Sequence, residues 1–175
     1  MWRSRKIAFL LLAVAVWPSA WSQAHAGAGK GITLLTPLEA DQLRLTDSEW
    51  LQSGRTRSLT LPEGPRIVMQ RPSVKETGAG LTIVAGTPTD FYILFEPNQA
   101  PVNMDSLQIR ARKGIFAKSL TAVLHPYIRG TSLQANTVRI PEGRFRIEIG
   151  IADMAGAQTI QTYALEVRGQ EQGKR

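Results

Sequence analysis

The chain predicts an all-β protein: an antiparallel β-sandwich preceded by a short helical N-terminal segment. Three observations carry this. From Arg66 onward the apolar residues alternate in short runs, the period-two mark of half-buried strands. Clusters of Gly, Pro and Asp separate those runs, as turns require. Little helix is signalled after residue 65, and about seven short strands close most economically as two packed sheets.

Residues 1–26 read as a secretory signal peptide. Arg3, Arg5 and Lys6 make a basic start, Ile7 to Trp17 are almost purely apolar, and Pro18 breaks the run before Ala24-His25-Ala26. That small-x-small ending is a peptidase site, and the apolar stretch is shorter than the about 20 residues a membrane span needs. The expected mature chain starts at Gly27 and is periplasmic or secreted from a bacterium. No second apolar stretch of that length follows, so no transmembrane segment is expected in the mature chain. The remaining 149 of 175 residues are enough for one ordinary domain with its own core. The absence of cysteine excludes disulfides, thiolate metal sites, cysteine nucleophiles and a lipid-carrying cysteine. Loss of the three leader cations brings the formal charge from +7 to +4. So mild a balance bears on solubility and weak attraction to anions, and no nucleic-acid partner is expected.

Residues 27–65 form the N-terminal helical and extended segment. Thr36-Pro37-Leu38-Glu39 is a capping box with proline at the first helical position, and Thr46-Asp47-Ser48-Glu49 repeats the device. Helical turns are expected over about Pro37–Leu43 and Asp47–Leu51, with Leu38, Leu43, Leu45, Trp50 and Leu51 needing a surface. Gln52 to Pro65 reads as a linker or wrapped extended segment.

Residues 66–168 carry the strands. Arg66–Gln70 is the first, stopped by Pro72, and Ser73–Gly80 reads as a polar loop. Leu81–Val84 is edge-like. Thr89–Phe95 is apolar on both faces, so one face is expected under extra cover, with the N-terminal turns the obvious candidates. Leu107–Lys113 places Leu107, Ile109 and Ala111 inward and Gln108, Arg110 and Arg112 outward. Lys118–Leu124 is readable as helix or strand. Leu133–Ile140 precedes a Pro141-Glu142-Gly143 turn. Arg144–Ala152 places Phe145, Ile147, Ile149 and Ile151 inward against Arg144, Arg146 and Glu148. Asp153-Met154-Ala155-Gly156 is a hairpin turn using positive φ at Gly156. Gln158–Val167 returns with Tyr163, Leu165 and Val167 on one face, and residues 169–175 are a polar tail. Phe91, Ile93, Phe95, Leu107, Ile109, Phe145, Ile147, Ile149, Tyr163 and Leu165 are the expected inter-sheet core.

Three stretches point further: Pro101-Val102-Asn103-Met104-Asp105-Ser106-Leu107, Ile140-Pro141-Glu142-Gly143-Arg144-Phe145-Arg146-Ile147, and Ile151-Ala152-Asp153-Met154-Ala155-Gly156. They resemble the strand entry, proline-x-glycine turn and aspartate-x-x-glycine turn of bacterial immunoglobulin-like modules. Over about Arg66 to Val167 the chain looks like an uncharacterised exported bacterial family with an immunoglobulin-like β-sandwich domain. The resemblance implies a fold and no activity, because these motifs are turn chemistry.

Chemistry is thinly represented. Once the leader is removed, His125 is the sole histidine. It precedes a proline in an irregular segment, and no glycine-flanked serine resembles a nucleophile elbow. No catalytic residues, cofactor or metal site are expected. Asp90, Glu96, Asp105, Glu142, Glu148 and Asp153 could in principle serve a carboxylate-based hydrolase, yet no spacing singles out a pair, and Asp105 and Asp153 read as turn formers. The pattern left is basic. If Leu107–Lys113 and Arg144–Ala152 are neighbouring strands, Arg110, Arg112, Arg144 and Arg146 share one exposed face as a possible anion-binding patch offset by Glu148. Three functions follow as expectations. The first is a non-enzymatic exported binding or assembly module contacting a cell-envelope protein partner. The alternative is binding of an anionic or carbohydrate polymer through the arginine face, where Trp50 and Tyr127 are the aromatics available. The third is a carboxylate-based hydrolase.

Overall fold

The structure is a computed structural model; it describes residues 31–53, 59–60 and 64–169. The signal-peptide reading and residues 170–175 of the tail lie outside the described residues.

Twelve strands and three short α-helices follow in chain order among the described residues. They begin with β1 (Ile32–Thr33), α1 (Pro37–Leu43), α2 (Asp47–Ser53), β2 (Leu59–Thr60), β3 (Arg66–Arg71) and β4 (Val74–Thr77). Next come β5 (Gly80–Gly86), β6 (Thr89–Glu96), β7 (Val102–Lys113), β8 (Phe116–Ser119) and α3 (Thr121–Leu124). A 3-10 turn (His125–Tyr127) leads to β9 (Ile128–Arg129), β10 (Ser132–Arg139), β11 (Gly143–Asp153) and β12 (Gln158–Arg168).

The strands make a two-sheet β-sandwich. Sheet one runs β1-β10-β6-β3, with β9 also on β10; sheet two runs β4-β5-β12-β11-β7-β8, with β2 also on β12. Phe95, Ile93, Phe145, Ile149, Ile109, Leu107, Tyr163 and Leu165 are buried between them, as alternation requires. Phe91 and Ile147, expected alongside, are half-buried and pack on that core.

Several expectations need correction. The sheets are mixed: β1 runs parallel to β10, and β5 parallel to β12. Alternation reports which way side chains face and carries nothing about strand direction. The helices do not stand before the sandwich as a separate segment, because β1 precedes them and is itself a strand of sheet one. They do not cover β6 either. α1 packs on β7, β8 and β11, and α2 on β11, all in sheet two. Residues 74–77 of the expected polar loop pair with β5 as an edge strand, most of whose residues are exposed. Within 118–124, strand and helix both occur: β8 ends at Ser119 and α3 begins at Thr121.

Both capping boxes form. Thr36 N–H donates to Glu39 Oε2 at 2.9 Å and Glu39 N–H to Thr36 Oγ1 at 3.3 Å. Thr46 N–H likewise donates to Glu49 Oε2 at 2.8 Å. The helices bury Ala40, Leu43 and the intervening Leu45, while Leu38 and Leu51 face solvent. Leu45 N–H donates to Arg144 O, stitching the helical segment to the start of β11.

Candidate functional site

Antiparallel pairing of β7 with β11 decides the geometry of the arginine face. Arg146 lies directly opposite Arg112, and Glu148 opposite Arg110; on the other side of β11, Arg144 lies opposite Glu166 of β12. Because Ala111, Ile109, Phe145 and Ile149 are buried between the sheets, the four arginines share the outer face of sheet two.

Their surroundings differ. Arg144 is committed: Nη1 donates to Asp47 Oδ1 at 2.6 Å, Nη2 lies 3.9 Å from Glu166, and its guanidinium sits 5.3 Å from the Trp50 ring centroid. Asp47 and Trp50 both come from α2, so that helix occupies the Arg144 end of the face. Arg112 pairs with Glu148 at 3.0 Å. Arg110 donates to the neutral Gln108 Oε1 at 2.6 Å. Arg146 has no ion pair or side-chain hydrogen bond among the described residues, and its Nε is buried without a partner.

The other candidates resolve into structural roles. Asp153 Oδ1 accepts the N–H groups of Ala155 and Ala157, both at 2.9 Å, and Gly156 takes φ +89°, so this aspartate is the turn former expected. Asp105 is not. At that strand entry Asn103 Oδ1 accepts Asp105 N–H, and Ser106 Oγ accepts Ala152 N–H at 2.8 Å across a bulge. Asp90 accepts Thr137 N–H, which holds the one non-glycine residue with positive φ among those described. Glu96 pairs with Arg66. His125 is exposed in the 3-10 turn. Among the described residues no three His, Asp or Glu side chains gather as metal ligands.

Neither aromatic expected for sugar contact is free. Trp50 is half-buried under Arg144, and Tyr127 packs on the core. The exposed apolar residues lie elsewhere: Leu38 and Leu51, expected to lie on a surface, face solvent instead, and Ile115 and Phe116 join them. Gly114-Ile115 is a two-residue hairpin loop between Lys113 and Phe116, with Gly114 at φ +55° and Ile115 at negative φ. That pattern is the glycine-first hairpin turn, whose second position is usually small and polar. Here it is Ile115, 94% exposed, followed by Phe116, 58% exposed. Lys113 to Glu49 (3.5 Å) and Lys118 to Glu39 (2.6 Å) tie the hairpin to α2 and α1. The exposed Leu38 and Leu51 of those helices therefore belong to the same end of the sandwich. An isoleucine in a polar turn position was the available signal, and alternation alone does not flag it.

Between the sheets lies one wholly apolar cavity of about 30 Å³, lined by residues including Ile93, Ile109, Leu133, Ile147, Ile149 and Leu165. Room for about one water without a polar partner is a packing gap rather than a ligand pocket.

No protein-family model matches the chain, and no curated protein does. Among solved structures it is similar to CopC from Methylosinus trichosporium OB3b at 13% identity and a TM-score of 0.37, covering 63% of this chain and 99% of that one. It is also similar to murine CRIg at 13% identity and a TM-score of 0.34, covering 61% of this chain and 99% of that one. No helix among the described residues is long and apolar enough to cross a membrane.

Proposed function

We propose that this chain is an exported, non-enzymatic, immunoglobulin-like module that contacts a protein partner in the bacterial cell envelope through its β7–β8 hairpin end. Strand order supports the immunoglobulin-like reading. β3-β6-β10 match the A-B-E order of one immunoglobulin sheet, and β7-β11-β12 the C-F-G order of the other, with β8 as the added C′ strand. Export rests on the leader read from residues 1–26.

The observation that carries the partner reading is Ile115 at the hairpin tip. A solvent-facing isoleucine in a turn gives the fold nothing, since it packs on nothing and lowers solubility. Phe116 beside it, with Leu38 and Leu51 on the flanking helices, makes that end the apolar one. A photo-crosslinking residue at position 115, expressed in the exporting cell, should capture one discrete envelope protein; the same residue at Asp105, at the far end of β7, should not. Equal capture at both positions, or none at 115, overturns the reading.

Anionic-polymer binding is the second reading, favoured by the uncommitted guanidinium of Arg146. Its carbohydrate form loses support with the engagement of Trp50 and Tyr127.

A further inference from the structure

We propose that Arg110, Arg112 and Arg146 form a binding site for a phosphate group on the outer face of sheet two, and that Arg144 is not part of it. This deepens the anionic reading and is independent of the hairpin contact.

Like charges directly opposite on neighbouring strands destabilise a sheet, and Arg146 opposite Arg112 is such a pair. The one acid beside them, Glu148, is taken by Arg112, and Arg110 has only a neutral amide oxygen. Three guanidiniums against one carboxylate leave a local charge of +2. The scaffold does supply acids where it needs them: two residues earlier on the same strand, Arg144 has Asp47 and Glu166. Arg146 receives none, and its Nε–H is buried unmet. The protein itself seals that Nε from solvent; a bound oxygen would meet the Nη groups of Arg146, which have no partner among the described residues and are not sealed. Beyond Arg112 in the same row stands Ala117, short and exposed, so no bulky side chain closes that side.

Ligand class follows from shape and charge. A planar carboxylate needs no more than one guanidinium fork, and Glu148 is already met by a single bond from Arg112 Nη1. A tetrahedral phosphate offers enough oxygens for forks from both strands. A phosphate monoester carries about −1.5 to −2 at neutral pH, which complements the local charge. No aromatic lies among the three arginines, so the phosphate is recognised without a stacked base.

The test follows the arginine Nε–Hε resonances by NMR while inorganic phosphate replaces chloride at constant ionic strength. The Arg146 resonance should shift saturably. R146Q should weaken binding about tenfold or more, the loss expected for a charge-assisted contact. R144Q and I115D should change it less than about twofold. E148Q, which removes the competing carboxylate, should strengthen it, and this gain cannot come from misfolding. Glycerol 3-phosphate and phosphatidylglycerol vesicles separate the sources. Response to the first alone assigns a soluble ester, and vesicle binding lost in R146Q assigns a lipid headgroup. No saturable shift, unchanged binding in R146Q, equal weakening by R144Q, or no gain in E148Q overturns the site. Binding of polyglutamate without any response to phosphate overturns it too, while leaving the broader anionic reading standing.

Discussion

Ile149→Ala and Ile147→Ala, two residues apart on β11 and facing the same interior, should differ in cost by about twofold. Ile149 is 1% exposed and Ile147 only half-buried, and both line the apolar cavity of about 30 Å³. Truncating a buried isoleucine to alanine removes three carbons, worth about 2.4 kcal/mol at about 0.8 kcal/mol each. The new void joins a gap that the surrounding side chains have already failed to fill, so little collapse is expected. About 40 Å³ of unrelaxed void adds about 1 kcal/mol at about 24 cal/mol per Å³. Ile149→Ala should therefore cost about 3.5 kcal/mol, and Ile147→Ala about 1.5–2 kcal/mol because part of its side chain never leaves water. Urea unfolding reads both as a fall in midpoint at unchanged slope. A loss below about 1 kcal/mol for Ile149→Ala, or a larger loss at Ile147, would refute the assignment of faces and the position of the cavity.

Asp153→Ala strips the acceptor from two turn N–H groups and should cost about 1–3 kcal/mol, seen in thermal unfolding; Asp105→Ala should cost less than about 0.5 kcal/mol. Lys118, by its hydrogen bond, and the Thr36 N–H hold the Glu39 carboxyl down from its ordinary 4.5 to about 2. A depressed carboxylate stabilises the fold above its unfolded value, so this contribution should be lost as pH falls from about 4.5 through about 2, and Glu39→Gln should flatten that limb of the acid titration. Burial pushes the Tyr163 hydroxyl up from 10.0 to about 12. The unfolded chain ionises first, so stability should fall as pH rises between those values, and Tyr163→Phe should remove the slope from alkaline unfolding curves.

What the sequence made legible is what local physics decides. The two capping boxes, the Asp153 turn and the alternation of β7 and β11 each rest on residues within a few positions of one another, and each stands in the structure. β4 was hidden because it is an edge strand with no buried face, so nothing forces its residues to alternate. The parallel pairings were hidden because side-chain period carries no direction. At the entry to β7, three short polar residues compete for the same amide groups, and composition does not rank them. The bulge between Gly150 and Ala152 does: it brings Ser106 Oγ to the Ala152 N–H and leaves Asp105 in solvent.

The arginine face shows how far alternation reaches and where it stops. Arg144 and Arg146 are i and i+2 on one strand, with Phe145 between them, and nothing local separates their roles. The separation comes from α2. Its capping box sets Asp47 in the first helical turn, and Leu45 N–H pinned to Arg144 O brings that turn to the head of β11. Asp47 and Trp50 then have Arg144 within reach and leave Arg146, one pleat further on, without an acid. Cover of a sheet face is a tertiary fact. Here it divides four equivalent side chains into one that docks a helix and three that retain a net positive charge.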